Sequence, residues 1–406
     1  MELKAMYINF WYPIIRSEDL GYDKPEKAMV LGVNLVIFRD QDGDAHVLSD
    51  TCTHRGASLG GAWSNGNAPR LINGCVVCPY HGWEFGGDGE CKNIPSIGYG
   101  TKPPPRAKVD SYPVEEKYGI VFAFLGDEPE ESRPPLLEVE EFGQEGWVAN
   151  EVLILEVPYY YERSIENGLD PAHNEFVHPT HGFSAINRET YKVREYETED
   201  HNQSWGFWFM HRFDSPPLPQ KGSATSPDTD TPWGDEKTER SDVYAGGGTY
   251  GPNIMPTYIN ITADKMFRQY FFEQPVTENL TRIFFLNMRN FLLDTKHNGP
   301  IHARNKVIAQ QDIDILVDLN PQRTPLSTTK EVLMPADKAI AAYREWLAKF
   351  DDMGWRIDLN EFNARNDKDM AFAIPCPARR VSGNWVLEEI PLIKNRAERK
   401  KIERAA

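Results

Sequence analysis

Short runs of aliphatic and β-branched residues, separated by glycine- and proline-rich turns, dominate the first third of the chain. The run at residues 29–38 precedes an Asp-Gly turn signal, which is typical of paired β-strands. Similar runs occupy residues 75–77 and 119–125. Short strands at this spacing predict an all-β domain, to which we assign residues 1–130.

The pattern changes after a proline- and glutamate-rich stretch at residues 127–135, which is typical of a linker. Beyond it, strand-like and helical periods alternate, and we assign residues 131–406 to a second domain of mixed structure. The polar, aliphatic-poor stretch at residues 214–248 predicts a long surface insertion. The other elements predicted in this domain are strands at 152–160, 267–272 and 281–287, a helical segment at 161–178, and helices at 300–317 and 337–350.

Composition and charge exclude several classes of protein. The chain has 406 residues, 44 basic and 61 acidic side chains, a net charge of −17 and 40% hydrophobic residues. A chain this apolar is not disordered, and a pI near 5.1 argues against nucleic acid or an anionic membrane as the partner. No stretch approaches the roughly 18–20 apolar residues of a membrane helix, and no secretory signal is visible at the N-terminus. Five cysteines fit reduced thiols, so we predict a soluble, cytoplasmic protein.

Two pairs of cysteine and histidine form the strongest chemical signal in the chain. Cys52 and His54 make the first pair, and Cys78 and His81 make the second, each after a strand-like run. Two thiolates and two imidazoles suit zinc, or a two-iron cluster in which one iron has two cysteine ligands and the other has two histidines. The ligand types alone leave both metals open.

Cys75 offers an alternative to this pairing. It precedes Cys78 in a C-x-x-C arrangement which, with His81 and Cys91, is compatible with a zinc-stabilised binding module. We expect Cys75 to point into a strand core instead, and Cys91 and Cys376 to be plain thiols.

The residues that flank the two pairs decide between the metals. The sequences C-T-H-R-G-A from Cys52 and C-P-Y-H-G-W-E-F from Cys78 closely resemble the two halves of the Rieske [2Fe–2S] motif. The resemblance implies that the two cysteines bind one iron and that His54 and His81 bind the outer iron. One departure is the 23 residues between His54 and Cys78, more than the family usually has, which predicts a longer loop at residues 64–70.

A second group of candidate ligands lies at residues 166–178. Asn167, Asp170 and His173 are spaced by three, so a helix would align them along one face. His178 lies about 140° further around an ideal helix than His173, so both rings can meet one metal only if the helix ends or bulges between them.

A simpler pair of ligands is also available, because His178 and His181 are three residues apart. We favour His173 with His178, since the whole segment resembles the N-x-x-D-x-x-H-x₄-H motif of Rieske non-heme iron oxygenases. That family also needs a carboxylate far downstream. Asp312 and Asp314 are the candidates, and Asp312, which an apolar run follows, fits better.

The resemblance implies a mononuclear Fe(II) held by His173, His178 and Asp312, with positions left for O₂. It also implies that Asp170 accepts a hydrogen bond from His173 of its own chain and meets the cluster ligand His81 of a neighbouring chain. Within one subunit the family's two centres are too far apart, so we expect a head-to-tail homotrimer.

The implied fold class is α+β, with an N-terminal all-β Rieske domain and an antiparallel-sheet, helix-grip catalytic domain. The implied function is that of a terminal oxygenase that hydroxylates or oxidatively demethylates a small, largely apolar, aromatic substrate, with monooxygenation favoured over dioxygenation. No nucleotide-binding fingerprint is present, so electrons are expected from a separate ferredoxin or NAD(P)H-linked flavin reductase. The alternative function is a Rieske electron-transfer protein with an inactive mononuclear site.

Two further sets of residues are singled out by their position and type. The first is basic and lies near the cluster motif, where it could dock an acidic ferredoxin: Arg55, Arg70 and Lys92. The second is aromatic and consists of candidate pocket walls, for each of which core packing is the favoured role: Phe207, Trp208, Phe209, Tyr270 and Phe271.

Overall fold

The computed structural model describes residues 6–64, 66, 70–178, 189, 191–201, 204–215, 217, 238–239, 241–325 and 328–395. Within these ranges the N-terminal part consists of small β-sheets, and the C-terminal part combines a large antiparallel sheet with helices. The fold class predicted from the sequence is therefore confirmed as α+β. The division at residue 130 stays a prediction, because side chains from both parts share one hydrophobic core.

Eleven strands form three antiparallel sheets in the described N-terminal part. They are β1 (Phe10–Arg16), β2 (Glu26–Val30), β3 (Val33–Arg39), β4 (Ala45–Ser49), β5 (Leu71–Ile72), β6 (Cys75–Val77), β7 (Glu84–Phe85), β8 (Cys91–Asn93), β9 (Ser111–Tyr112), β10 (Val114–Lys117) and β11 (Ile120–Leu125). The sheets have the orders β1-β11-β10, β2-β3-β4-β9 and β5-β6-β7-β8. The apolar run at residues 29–38 is thus two strands, which a tight turn at Leu31 and Gly32 separates.

The large sheet has eight antiparallel strands in the described residues. They are β12 (Val148–Ala149), β13 (Leu153–Val157), β14 (Thr198–Asp200), β15 (Gly206–Ser215), β16 (Ser241–Tyr250), β17 (Ile254–Asn260), β18 (Met266–Thr277) and β19 (Leu280–Arg289). Their order is β12-β19-β18-β17-β16-β15-β14, and β13 also pairs with β19. We call this sheet the catalytic sheet.

The predicted surface insertion at residues 214–248 is wrong at both ends, since β15 extends to residue 215 and β16 begins at residue 241. The aliphatic-poor composition of these strand ends led to the error, since three glycines occupy residues 246–248 of β16. In the structure, a side chain at Gly246 or Gly248 would overlap the carbonyl oxygen of Phe209 or Phe207 on β15. The glycines therefore permit a close approach of two strands.

Six α-helices lie in the described residues: α1 (Tyr161–Leu169), α2 (Asn174–Val177), α3 (Asn298–Leu316), α4 (Lys338–Asp352), α5 (Leu359–Arg365) and α6 (Ala378–Val381). The bounds of α3 and α4 agree closely with the predicted helices. Two short strands near the C-terminus, β20 (Phe372–Ala373) and β21 (Glu388–Glu389), pair in parallel. None of the helices described has the length and apolar character needed to cross a membrane.

The catalytic sheet is covered on both faces. On its outer face, Phe122 and Phe124 of β11 pack against Phe272 of β18 and its neighbours. The amide of Gln274 also donates to the backbone carbonyls of residues 13 and 14 in β1, at 2.6 and 3.1 Å. On its inner face lie α1, α3 and α4. The helices that carry the candidate ligands are therefore on the face opposite the N-terminal sheets.

A buried hydrogen bond joins α1 to the inner face of this sheet. The Ser164 hydroxyl donates to Oε1 of Glu273 at 2.7 Å. Glu273 is completely buried, and burial raises its pKa to about 8. The carboxyl group is consequently neutral at physiological pH.

We predict that Glu273→Gln makes thermal stability less dependent on pH. The unfolded chain releases this proton near the ordinary pKa of 4.5, whereas the folded chain keeps it until about pH 8. The stabilisation from this group is therefore complete below pH 4.5 and is lost as the pH rises towards 8. Thermal unfolding measured from about pH 5 to about pH 8 should show a smaller loss of stability in the variant. The exposed Glu145→Gln is the control, and equal slopes for Glu273→Gln and wild type would contradict the prediction.

Candidate metal centres

The two cysteine loops of the N-terminal part have the same main-chain shape. The carbonyl of Cys52 accepts from the N–H of Gly56 at 2.9 Å, and the carbonyl of Cys78 accepts from the N–H of Gly82 at 3.0 Å. Both glycines have left-handed φ values, +75° and +73°, which other residues rarely adopt. Glycine four residues after each cysteine is therefore required by the turn that presents the ligands.

The four side chains of these loops converge as two pairs. Nδ1 of His54 lies 3.1 Å from Nδ1 of His81. The thiols of Cys52 and Cys78 share a hydrogen bond, which lowers the pKa of Cys78 to about 6 and raises that of Cys52. The four ligand atoms do not form a single group within 4.8 Å of one another, as they would around one tetrahedral zinc ion. Two sulfurs and two nitrogens in separate pairs fit a two-iron cluster.

The alternative zinc site has no support in the described residues. Cys75 on β6 and Cys91 on β8 are buried, and neither belongs to a group of three or more potential ligands in the described ranges. The Cys91 thiol instead donates to the carbonyl of Asn93 at 3.3 Å. Of the predicted longer loop at residues 64–70, positions 65 and 67–69 lie outside the described residues.

Aromatic rings surround the two exposed histidines. His54 stacks on Trp83, with ring centroids 4.6 Å apart, and His81 lies against Tyr80 at 3.9 Å. Two of the basic docking candidates have other partners. Arg70 donates to the carbonyls of residues 60 and 61, and Lys92 pairs with Asp88 and Glu90. Arg55 is exposed beside His54.

The helix that was predicted to carry the second motif is interrupted at Pro171. The residue before a proline disfavours the helical conformation, and Asp170 is extended, with φ −90° and ψ 106°. The predicted alignment of Asn167, Asp170 and His173 on one helix face is therefore wrong. His173 and His178 instead flank the single turn of α2.

These two histidines and Asp312 of α3 converge in the structure. The two Nε2 atoms are 3.3 Å apart, and Oδ1 of Asp312 lies 3.1 Å from Nε2 of His178 and 3.7 Å from that of His173. Adjacent ligands of an octahedral ion at about 2.1 Å would be about 3 Å apart. The donor set therefore fits a mononuclear divalent metal on one face. Among the residues described it is the one group of three or more potential ligands within 4.8 Å.

Two oxygen acceptors orient the histidine rings. Nδ1 of His173 lies 2.6 Å from the backbone carbonyl of Asp170, and Nδ1 of His178 lies 3.0 Å from Oε1 of Gln311. A proton on each Nδ1 donates to these oxygens and leaves both Nε2 lone pairs directed at the metal position. Burial also lowers the pKa of His173, which favours the neutral ring that a metal requires.

The structure corrects the predicted contact between Asp170 and His173. The acceptor is the main-chain carbonyl of Asp170, because the extended conformation before Pro171 turns that carbonyl towards the ring. The carboxylate accepts from the N–H of Ala172 at 2.7 Å and so caps the turn that follows. Asp170 remains partly exposed, and burial raises its pKa.

Asn167 and Gln311 each form a hydrogen bond with one of the three candidate ligands. Nδ2 of Asn167 donates to Oδ1 of Asp312 at 3.0 Å, so Asn167 is a polar neighbour of this candidate ligand. Gln311 was missed by the sequence analysis, since a glutamine on a helix carries no local sign of its partner. Asp314, the other candidate carboxylate, is exposed and accepts from Gln310. His181, the alternative ligand, lies outside the described residues.

Two known domain families match the chain. The Rieske [2Fe–2S] domain family matches residues 10–113, and the vanillate O-demethylase oxygenase C-terminal domain family matches residues 158–353. The chain therefore carries a Rieske domain followed by an oxygenase C-terminal domain of the vanillate O-demethylase type. Rieske oxygenases carry a [2Fe–2S] cluster, and their oxygenase domain binds mononuclear iron and uses O₂.

Individual relatives share only part of their length with the chain. The phenoxybenzoate dioxygenase subunit alpha of Ectopseudomonas oleovorans is 36% identical over 45% of this chain and 46% of its own length. Chlorophyllide a oxygenase of Chlamydomonas reinhardtii is 35% identical over 44% of this chain and 25% of its own length. The chain thus spans less than half the length of these relatives.

Solved structures share the fold over most of the chain. Dicamba monooxygenase bound to 3,6-dichlorosalicylic acid has a TM-score of 0.66 at 21% identity and covers 85% of this chain and 98% of its own. Pseudomonas putida CBB5 NdmA with caffeine has a TM-score of 0.65 at 21% identity, covering 84% and 89%.

Replacing Gln311 by alanine is expected to weaken mononuclear iron binding by about 10- to 100-fold, because His178 loses the acceptor that orients its ring. The measurement is iron retained per chain in competition with a chelator, with the visible spectrum of the cluster as an internal reference. Gln310→Ala, at the exposed neighbouring position, is the matched control. Equal iron affinity in the two variants would show that Gln311 does not position the ligand.

Proposed function

We propose that the chain is the terminal oxygenase component of a system that hydroxylates or oxidatively demethylates a small, largely apolar, aromatic substrate, by monooxygenation rather than dioxygenation. The observation that carries the proposal is the convergence of His173, His178 and Asp312 in a chain that also holds a complete Rieske ligand set. Two histidines and one carboxylate on one side of an iron leave positions open for O₂.

We assign the cluster to Cys52, His54, Cys78 and His81, and the iron to the three converging side chains. When bound, the iron would supply O₂ activation and the cluster would supply electrons. The complete set of three ligands argues against the alternative of an electron-transfer protein with an inactive site.

The protein's own part is to orient the ligands and to exclude water. Gln311 and the carbonyl of Asp170 hold the Nδ1 protons, so both Nε2 atoms face the iron position. Asn167 holds Oδ1 of Asp312 by a hydrogen bond and limits its rotation. His178 is 2% exposed, which keeps solvent from that side.

The chemistry of the relatives supports a small ring compound as substrate. Dicamba monooxygenase has been solved with dicamba and NdmA with caffeine, and the C-terminal family is named for vanillate O-demethylase. Strand alternation divides the five aromatic wall candidates. Phe207, Phe209 and Phe271 face the helices, whereas Trp208 and Tyr270 lie on the outer face of the catalytic sheet. The helix-facing rings are the ones that we propose as pocket walls.

We further propose a head-to-tail homotrimer that takes electrons from an external ferredoxin or flavin reductase. Exposed aromatic rings lie both beside His81 and on α2, the two regions that would meet at a subunit interface in such a ring. Tyr80, whose ring lies 3.9 Å from that of His81, is 59% exposed, and Phe176 on α2 is 62% exposed. In this arrangement the carboxylate of Asp170 meets His81 of the neighbouring subunit.

The proposed function is tested by reconstituting the chain with a flavin reductase and ferredoxin and screening small methoxy- and N-methyl-aromatic compounds. We expect about three irons per chain, two in the cluster and one mononuclear. Product formed under ¹⁸O₂ should contain one labelled oxygen in the ring product or in the released formaldehyde. Two irons per chain, with no product from any compound, would favour the electron-transfer alternative.

Asp170→Asn is expected to leave both metals in place and to slow turnover. The amide oxygen still accepts from the N–H of Ala172, so the local fold survives, but the negative charge that would meet His81 is lost. A lost charge-assisted hydrogen bond of about 1.5–3 kcal/mol corresponds to a decrease of roughly 10- to 100-fold. Single-turnover rates and iron content measure the effect, with the exposed Asp314→Asn as control. Wild-type rates in Asp170→Asn would exclude the bridging role.

A further inference from the structure

A row of polar side chains crosses the inner face of the catalytic sheet. Thr257 on β17, Gln269 on β18 and Asn287 on β19 lie directly opposite one another in adjacent strands, so their side chains share one face. The next row on this face, two residues along each strand, is apolar and consists of Met255, Phe271 and Phe285. Phe271 packs beside the end of α3 that carries Asp312. The polar row is therefore further from the metal position than the apolar row.

Helix α3 lies over this polar row. Near its N-terminus Ile301 packs against Phe267, and near its C-terminus Leu316 packs against Ile283. The helix therefore crosses the level of Gln269 and Asn287 between these two contacts. Asn305 and Asp312 are seven residues apart, which places them on the same helix face and about 10 Å apart along the axis.

The amide groups in this layer have hydrogen-bonding capacity that the protein does not use. Nε2 of Gln269 donates to Oδ1 of Asn287 at 3.0 Å. Asn287 is completely buried, and its Nδ2 has no partner. Nδ2 of Asn305 is also buried without a partner. Buried donors are nearly always paired in folded proteins, so two of them in one layer point to an acceptor supplied from outside the chain. Gln269 and Thr257 are partly exposed and can be reached.

The charges around this layer favour an uncharged acceptor. All the side chains of the row are neutral, and so is Asn305. Arg289, in the following row, is completely buried and donates to the side chains of Asn150 and Asn298 and to backbone carbonyls. Arg304 precedes Asn305, lies about 100° from it around the helix and is itself buried. Neutral amide donors match a carboxamide or ring carbonyl better than a carboxylate.

Building on the proposed function, we propose that Gln269, Asn287 and Asn305 form a recognition site for an uncharged carbonyl acceptor of the substrate. The opposite end of the same aromatic molecule would then lie at His173, His178 and Asp312. The distance of about 10 Å along α3 suits one benzene ring with substituents in para positions.

Three methoxyarenes of similar shape test the proposal: 4-methoxybenzamide, 4-methoxytoluene and 4-methoxybenzoate. Binding is measured by calorimetry on the iron-loaded protein under nitrogen, so that the result does not depend on turnover. We expect the benzamide to bind at least about tenfold more tightly than the toluene, because the amide donors are left unpaired by the analogue that lacks a carbonyl. Tighter binding of the benzoate than of the benzamide would overturn the uncharged acceptor, and no binding of any probe would overturn the site.

Gln269→Leu and Asn305→Leu, on separate elements, should each reduce the preference for the benzamide by about tenfold and leave toluene binding unchanged. Gln310→Leu on the exposed face of α3 is the matched control and should keep the preference. Thermal midpoints, iron content and cluster spectra confirm that each variant folds. If the preference survives in both variants, the proposal is wrong. Selective binding without any product would refute the oxygenase function alone, whereas product formation without the preference would refute the recognition site alone.

Discussion

The Nδ1 protons of His173 and His178 are the constraint on which the rest of the candidate iron site depends. A neutral imidazole carries one proton, so a ring presents Nε2 to a metal only when Nδ1 is held as the donor. The carbonyl of Asp170 and the side chain of Gln311 each accept one of these protons. Because the two acceptors come from different elements, the site exists only where α3 passes over the break between α1 and α2.

The catalytic sheet sets the position of that crossing. Its inner face anchors α3 at both ends through apolar contacts, and it anchors α1 through the hydrogen bond from Ser164 to Glu273. Its outer face packs against the N-terminal strands. The two faces of the sheet therefore pack against different parts of the chain, the outer face against β1 and β11 and the inner face against α1, α3 and α4.

Local motifs were easier to predict than the shape of the chain around them. The Cys52 and Cys78 loops are closed by hydrogen bonds within a few residues, and so their ligands and their glycines can be recognised in the sequence. The aliphatic-poor composition at residues 214–248 misled the prediction, because the reason for the glycines of β16 lies in the neighbouring strand β15. The helix through Asp170 was also predicted wrongly, although Pro171 was the local signal that could have revealed the break.

The sequence by itself determined the family, the fold class, the candidate ligands of both metals and the preference for Asp312 over Asp314, because each rests on residue types at short spacing or on a motif. Only the tertiary structure decided that Gln311 orients His178, that the backbone rather than the carboxylate of Asp170 orients His173, and that the amides of Gln269 and Asn287 meet in the row next to Phe271. The physical reason is that Gln311 is distant in the sequence from His178 and is brought to it by the packing of α3. The carbonyl of Asp170 is only three residues from His173, but its direction depends on the extended backbone before Pro171.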